Sequence, residues 1–259
     1  MSEKKYSIQD LLQIMSDLRH PEKGCPWDVK QTHQSLCEYL IEESYEFIEA
    51  AELNNSHDML EELGDVLLQV IFHAQIAQEN AQFDFSEIVH VLAHKLVSRH
   101  PHVFGEVDLK TSEEVETQWE ILKQSEVNKQ IRESLMDGIA AGLSPLAKAI
   151  KIQNRAAKVG FDWPNPQDLW PKLDEEISEF KIEVAVNDHE KMTQEMGDIL
   201  FTLVNICRKY EIDPEFALRQ TNRKFANRFR DMEKSSPQNL AELNLTELDL
   251  LWQQVKKQG

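Results

Sequence analysis

An internal repeat runs through this 259-residue sequence and limits the folds open to it. EESYEF (42–47) and EELGD (61–65) in the first half correspond to EEISEF (175–180) and QEMGD (194–198) in the second, with the same interval between them. Such self-similarity is typical of a structural unit that occurs twice. The sequence therefore predicts tandem copies of one unit of roughly 100 residues, a usual size for a domain.

Turn-forming residues collect between the copies, where helical periodicity stops: Gly138, Gly142, Ser144 and Pro145. We place the domain boundary in this segment. The expected division is an N-terminal helical domain at 1–128, a linker at 129–145 and a C-terminal helical domain at 146–259.

Within each copy the apolar residues recur at helical spacing, as in Leu63, Val66, Leu67, Val70 and Ile71. No run alternates in the manner of a strand. Asp84 or Ser86 is expected to cap one helix, and Asp213 followed by Pro214 is expected to open another. The predicted fold is all-α, a tandem repeat of two small antiparallel helical bundles.

Charge excludes some classes of partner. The chain has 28 Lys and Arg against 46 Asp and Glu, a formal net charge of −18, which opposes nonspecific binding to nucleic acid or to an anionic membrane. Residues 1–130 hold 10 basic and 25 acidic side chains, and residues 131–259 hold 18 and 21. A polyanion is therefore repelled less by the second half.

Cysteine usage indicates a reducing compartment. The three cysteines form no CxxC pair, the first residues have no apolar core of a signal peptide, and the apolar runs are too short to span a bilayer. We expect a cytoplasmic protein that does not enter a membrane.

The acidic repeat predicts a metal site. Glu176 and Glu179 are one helical turn apart, and Glu195 and Asp198 repeat this spacing on the next predicted helix. If the two helices are antiparallel, four carboxylates converge and repel one another unless a cation joins them. Oxygen ligands alone favour Mg²⁺, or Mn²⁺ in its place, and Mg²⁺ commonly shares its shell with substrate phosphates. The corresponding first-half set is a possible second metal site: Glu43, Glu46, Glu62 and Asp65.

Other interpretations of the acidic repeat stay open. A single E-E-x-x-E is common on a solvated helix face, although two copies with equal spacing make this less attractive. A di-iron bundle normally uses E-x-x-H pairs, and neither copy has one. Gly64 and Gly197 lie mid-helix, where close approach of a neighbouring helix or a ligand, or ordinary helix packing, could account for them.

Cationic and aromatic residues of the second half are candidates for nucleotide contacts. Lys224 and Arg228 are four residues apart on a predicted helix and can reach one side together. Trp163 and Trp252 can stack on a base, or they can belong to the core. No Gly-rich phosphate loop of the two common kinds occurs, which leaves metal as the route to phosphate recognition.

Longer motifs resemble a known family, the MazG-type nucleoside triphosphate pyrophosphohydrolases. The resemblance covers nearly the whole chain and rests on GCPWDVKQTH (24–33), YLIEESYE (39–46), EELGDVLLQVIFHA (61–74), RHPHVFGE (99–106) and NRAAKVGFDWP (154–164). It implies tandem all-α copies, a homodimer, and Mg²⁺-dependent cleavage of a broad range of NTPs and dNTPs to the monophosphate and pyrophosphate. It also implies that the second half is the active one.

The resemblance assigns residues as well. The family's metal ligands correspond to Glu176, Glu179, Glu195 and Asp198. Its substrate contacts correspond to Lys172, Leu173, Asp174, Glu175, Lys191, Met192, Thr193, Gln194, Lys224, Phe225, Ala226, Asn227, Arg228 and Trp252.

A metal-assisted water attack at the α-phosphorus follows as the mechanistic hypothesis, with Glu175 or Glu176 accepting the proton of the water. Two other classes of function remain as alternatives. One is a nucleotide-responsive acidic regulatory or binding module without turnover, and the other is a purely structural dimeric scaffold.

Overall fold

The computed structural model describes residues 5–105, 107, 109, 111, 112, 114, 115, 118, 119 and 134–258. The chain divides into two compact units, Met1–Val127 and Asn128–Gly259. Part of the predicted linker, 129–133, lies outside the described residues, and the division into 1–128, 129–145 and 146–259 stays a prediction.

The regular secondary structure in the described part of the first unit is helical. Its helices include α1 (Ile8–Leu18), α2 (Pro26–Lys30), α3 (Cys37–Glu52), α4 (Ser56–Glu79), α5 (Phe85–Arg99) and α6 (Pro101–Phe104). A short connection between α3 and α4 favours antiparallel neighbours, and these two helices pack together along their lengths. Met15 of α1 joins Leu36, Ile71, Phe72 and Ile76 in one apolar core.

The second unit repeats this arrangement. Its α-helices are α7 (Pro145–Ala157), α8 (Leu169–Val186), α9 (His189–Lys209), α10 (Pro214–Ser235) and α11 (Leu245–Gln258). Two 3₁₀ turns precede α8 and α11, at Pro166–Asp168 and Leu240–Glu242. Helices α8 and α9 form the main packed pair, α7 lies against α9, and α10 contacts both α7 and α11.

The predicted helix starts are confirmed at two places. Asp84, rather than Ser86, caps α5 by accepting from the backbone N–H of Glu87. Asp213 caps α10, with Pro214 in its first turn. The described residues form no strand, so the all-α prediction is confirmed, and their helices include none with the length and apolarity needed to cross a membrane.

Candidate active site

Three of the predicted metal ligands meet between α8 and α9. Glu176 and Glu179 lie one turn apart on α8, and Glu195 lies in the second turn of α9. Asn187, in the left-handed conformation with φ of 58°, ends α8 and lets the chain turn back into α9. Each of the three glutamates offers one oxygen, and these oxygens lie within 4.8 Å of one another.

The carboxylates of this group oppose one another's ionisation. Partial burial and the negative charges of Glu179, Asp198 and Glu176 raise the pKa of Glu195. Glu176 is only 6% exposed, so water screens its charge poorly. A divalent cation would relieve this repulsion, and a set of carboxylate oxygens fits a hard ion such as Mg²⁺.

Lys172 partly neutralises the same group. It lies one turn before Glu176 on α8, and its Nζ pairs with Oε1 of Glu176 at 2.7 Å and with Oε1 of Glu175 at 3.0 Å. These contacts raise the pKa of the Lys172 ammonium above its ordinary value, so it stays charged at neutral pH. The Lys172 ammonium therefore lies where it can pair with an anionic ligand that binds beside the acidic group.

A cavity of about 730 Å³ opens beside the acidic group of the second unit. Lys172, Glu176 and Asp198 line one part of it, and aromatic rings including Phe161 and Trp163 line another. Its volume falls in the range of small-ligand sites, which are usually largely apolar with a few polar groups.

Hydrogen bonds of Asp162 attach the turn that contains Trp163 to helix α9. Asp162 accepts hydrogen bonds from the Arg208 guanidinium and, at 2.8 Å, from Lys209 Nζ, and it also accepts from the backbone N–H of Trp163 at 2.9 Å. Burial opposes the charge of Asp162, but these bonds prevail and lower its pKa to about 2. Asp162 is not among the residues predicted from the sequence, because its partners lie 46 and 47 residues away.

The first unit has an acidic group of the same kind. Glu43, Glu62 and Asp65 bring carboxylate oxygens within 4.8 Å of one another. Partial burial, the charges of Glu46, Asp65 and Glu43, and a side-chain hydrogen bond with Glu46 raise the pKa of Glu62. In each unit, three of the four predicted carboxylates thus form one close group, and Glu46 and Asp198 lie outside these groups.

Comparison with known proteins fits this geometry. A family model described as the MazG nucleotide pyrophosphohydrolase domain matches residues 31–104 and 165–232, one segment in each unit. The chain belongs to the MazG family. It is 43% identical over 259 residues to the nucleoside triphosphate pyrophosphohydrolase/pyrophosphatase MazG of Thermotoga maritima, covering 99% of this chain and 98% of that protein.

Another relative is of similar length. The nucleoside triphosphate pyrophosphohydrolase of Escherichia coli K12 is 42% identical over 256 residues, covering 97% of each chain. A crystal structure of a MazG-related protein from Thermotoga maritima is 30% identical, covers 46% of this chain and 99% of that chain, and has a TM-score of 0.39.

The two MazG domains differ beside their acidic groups. In the first, the ring of Trp27 packs edge-on against Tyr39 and Phe72, with centroid distances of 5.9 and 6.4 Å. Counted from the acidic motifs, Tyr39 and Phe72 correspond to Lys172 and Asn205 in the second. There, Lys172, Asn205 and Trp163 all line the cavity.

The remaining predicted substrate contacts fall into two groups. Leu173, Asp174 and Glu175 follow Lys172 on α8, and Lys191, Met192, Thr193 and Gln194 lie in the first two turns of α9 just before Glu195. Lys191 Nζ lies 3.7 Å from Glu183 of α8. These residues therefore adjoin the acidic group along the chain.

The second group lies on α10 and α11. Lys224, Phe225, Ala226, Asn227 and Arg228 occupy the middle of α10, and the ring of Trp252 lies 4.9 Å from that of Phe225. Within the described part of the chain, no hydrogen bond or ion pair joins Lys224 or Arg228 to the acidic group. Their contact with substrate stays a prediction.

The mid-helix glycines have open surroundings. A Cβ added at Gly64 or at Gly197 would have no heavy atom of a neighbouring element within 4 Å among the described residues. Close approach of a neighbouring helix within the unit is therefore not what these glycines provide.

Proposed function

We propose that the chain is a Mg²⁺-dependent nucleoside triphosphate pyrophosphohydrolase, with Mn²⁺ as a possible substitute, that cleaves NTPs and dNTPs to the monophosphate and pyrophosphate. The observation that carries the proposal is the cavity beside the acidic group of the second unit. Two relatives that match nearly the full chain are nucleoside triphosphate pyrophosphohydrolases by name, which supports the reaction.

The second unit is the proposed catalytic one. In the first unit, Tyr39 and Phe72 place rings against Trp27 at positions where the second unit has the polar Lys172 and Asn205. Since Lys172 and Asn205 line the cavity of the second unit, rings at the corresponding positions would fill space that a nucleotide needs, and Tyr39 cannot supply the charge of Lys172. The first acidic set, Glu43, Glu46, Glu62 and Asp65, would then bind a metal ion without a complete nucleotide site.

Glu176, Glu179, Glu195 and Asp198 would hold the metal. When bound, Mg²⁺ would neutralise the triphosphate and polarise its α-phosphoryl group. Lys172 would pair with a phosphate oxygen, which requires it to exchange a contact with Glu175 or Glu176 for the substrate.

The proton of the attacking water would pass to a carboxylate. Glu175 is the better acceptor of the two predicted candidates, since Glu176 belongs to the three-glutamate group and Glu175 lies outside it. Lys224 and Arg228 would hold the leaving phosphates, and Trp252 or Trp163 would stack on the base. The contacts of Lys224, Arg228 and Trp252 require α10 and α11 of the same chain or of a second copy.

We expect a cytoplasmic homodimer that acts on free nucleotides and has neither a nucleic-acid nor a membrane partner. Its net charge of −18 makes a long polyanion an unfavourable ligand, whereas a metal-bound triphosphate brings its own counter-charge.

Product analysis with a matched pair of variants tests the reaction and its place. The purified protein is incubated with Mg²⁺ and each of several NTPs and dNTPs, and the products are resolved by anion exchange. Glu179→Gln should lower kcat about 100-fold or more, because it removes a ligand charge without changing size. Glu46→Gln makes the same change at the equivalent position of the first unit and should leave most of the turnover.

Each other outcome has a definite meaning. Nucleoside diphosphate plus phosphate would overturn the assigned bond, and equal losses in the two variants would place catalysis in both units. Nucleotide-dependent stabilisation without product would favour the regulatory binding module. No thermal shift with Mg²⁺ and nucleotide would favour the structural scaffold.

A further inference from the structure

The cavity of the second unit has one polar group that the metal chemistry does not use. Gln153 of α7 lines the cavity and is only 5% exposed. Its Nε2 donates to the backbone oxygen of Phe201 on α9 at 2.8 Å. Because a carbonyl oxygen can only accept, this bond fixes the orientation of the amide and leaves Oε1 as the other polar atom.

Oε1 of Gln153 is a buried acceptor without a partner. Among the described residues no donor reaches it. Burial of an unpaired acceptor is unfavourable, and most buried polar side-chain atoms in proteins have a hydrogen-bond partner. A donor from a ligand that fits closely into the cavity would satisfy it after a small movement of the side chain, because Oε1 itself has almost no accessible surface.

The other amide in the cavity already has partners. Oδ1 of Asn205 accepts from Nε of Arg208 at 3.0 Å and from its Nη2 at 2.7 Å. Arg208 is itself held by Asp162. Asn205 therefore helps to fix this wall, and of the two side-chain amide oxygens in the cavity lining only that of Gln153 has no partner among the described residues.

The surroundings of Gln153 fit a flat heterocycle attached to a charged chain. Phe161, Trp163 and Phe201 contribute rings to the cavity, and such rings can cover the face of a base. Glu176 and Asp198 line the same cavity, so the triphosphate of a nucleotide could reach the acidic group while its base lies among the rings.

We infer that this cavity receives the base of the substrate and that Gln153 is a specificity-determining residue, whose Oε1 accepts a hydrogen bond from an N–H group of the base. The inference rests on the proposed function and adds to it a residue outside the predicted substrate contacts. Adenine, cytosine and guanine offer an amino group, and guanine, uracil and thymine offer a ring N–H. One acceptor can thus serve a broad range of bases and still reject a base that has no donor.

A substrate analogue tests this directly. Purine riboside 5′-triphosphate has a hydrogen atom where ATP has the 6-amino group, and it keeps the ribose and triphosphate. The wild-type chain should have a kcat/KM about tenfold higher for ATP than for the analogue, because the analogue leaves Oε1 unpaired. In Gln153→Leu this ratio should fall to about one.

The control is the same change at an exposed glutamine of the same unit. Gln167 lies in the 3₁₀ turn before α8 and outside the cavity lining, so Gln167→Leu should keep the wild-type ratio. Thermal unfolding of both variants separates loss of folding from loss of selectivity. A purely structural role of Gln153 would lower stability and leave the substrate ratio unchanged.

A second variant does not depend on the stability of Gln153→Leu. Asn205→Phe gives α9 the ring that α4 has as Phe72, at the same distance in sequence from the acidic motif. It should raise the KM for ATP about tenfold or more by filling the cavity, with a smaller effect on kcat.

The possible failures can be told apart. If the wild-type chain forms no AMP and pyrophosphate from ATP, the proposed function fails. If it does, but cleaves both nucleotides equally well, the assignment of Gln153 is overturned and the reaction stands. An unchanged KM in Asn205→Phe together with a raised KM in Trp252→Ala would place the base on α11 instead of in this cavity.

Discussion

Glu195 shows why the acidic group is unfavourable without a cation. Its pKa is raised by partial burial and by Glu179, Asp198 and Glu176, so its folded-state charge is opposed. An acid whose folded-state pKa is raised lowers the free energy of unfolding as pH rises from its unfolded-state pKa through its folded-state pKa.

Neutralising Glu195 should therefore have opposite effects with and without metal. In EDTA, Glu195→Gln should have a higher Tm than the wild type, because it removes one repelling charge. In excess Mg²⁺ the wild type should gain Tm and the variant should gain less, because it has lost a ligand. Thermal unfolding in both buffers is the measurement.

Glu190→Gln is the matched control, since Glu190 lies exposed in the first turn of α9, outside the three-glutamate group. It should respond to Mg²⁺ as the wild type does. An equal rise in Tm for Glu195→Gln and wild type would remove Glu195 from the metal site.

A histidine pair makes the first unit sensitive to pH. The two Nδ1 atoms of His33 and His73 lie 2.8 Å apart, and the rings are nearly parallel, at 4°. Burial and the neighbouring His33 lower the pKa of His73 below its ordinary value of 6.5. The unfolded chain therefore binds a proton at His73 before the folded chain does as pH falls.

The unfolding free energy should consequently fall as pH drops below about 6.5. His73→Asn should flatten this part of the pH profile, as measured by urea unfolding at closely spaced pH values. An equally steep profile in the variant would show that other groups cause it.

At the scale of elements, the sequence predicted the helices well and the differences between the units poorly. Helical periodicity, the Asp84 and Asp213 caps and the short turn after α8 depend on neighbouring residues, so local rules suffice. The antiparallel packing of α8 and α9 then brings the glutamates together.

Contacts between distant segments could not be obtained in this way. Gln153 and Phe201 are 48 residues apart, and a single buried glutamine gives no periodic pattern. The repeat itself could have revealed the substitution of Tyr39 and Phe72 by Lys172 and Asn205, because aligning the copies from their acidic residues is enough to find it.

The turn before α8 depends on one ion-paired aspartate for its attachment to α9. Asp162 has a pKa of about 2, held there by Arg208 and Lys209 against the effect of burial. An aspartate with a lowered folded-state pKa stabilises the fold above its unfolded pKa of 3.8, and this stabilisation is lost as pH falls through about 2.

Asp162→Asn should therefore lower the unfolding free energy at pH 7 by about 2 kcal/mol. Urea unfolding at pH 7 measures the loss, and the difference from the wild type should shrink as pH falls towards 2. The backbone N–H of Trp163 donates a hydrogen bond to the Asp162 carboxylate, and Trp163 lines the cavity. The KM for nucleotide should therefore rise as well. A stability difference that does not depend on pH would contradict the ionic origin.

At the scale of the whole molecule, many large apolar side chains are exposed. In the second unit, α9 exposes Met196, Leu200 and Leu203, and α8 exposes Ile182 and Val184. Met196, Leu200 and Leu203 recur at helical spacing and therefore lie on one side of α9, and exposed apolar faces of this kind are typical of surfaces that contact another protein chain. The proposed homodimer would cover such a face by the same face of a second copy, as a two-fold axis requires.

A charge placed on this face should separate the copies. In a two-fold interface each of the two copies of Leu200→Glu would bury an unpaired carboxylate, which is unfavourable. Sedimentation velocity at micromolar concentration should therefore show a dimer for the wild type and a monomer for the variant. Gln167→Glu adds the same charge at an exposed polar position of the same unit and should remain dimeric.

If Lys224, Arg228 and Trp252 act on the acidic group of a second copy, Leu200→Glu should also lose turnover while its helicity stays unchanged. A wild-type chain that sediments as a monomer at every concentration would contradict the dimer, and a monomeric variant with full turnover would require each copy to supply its own cations.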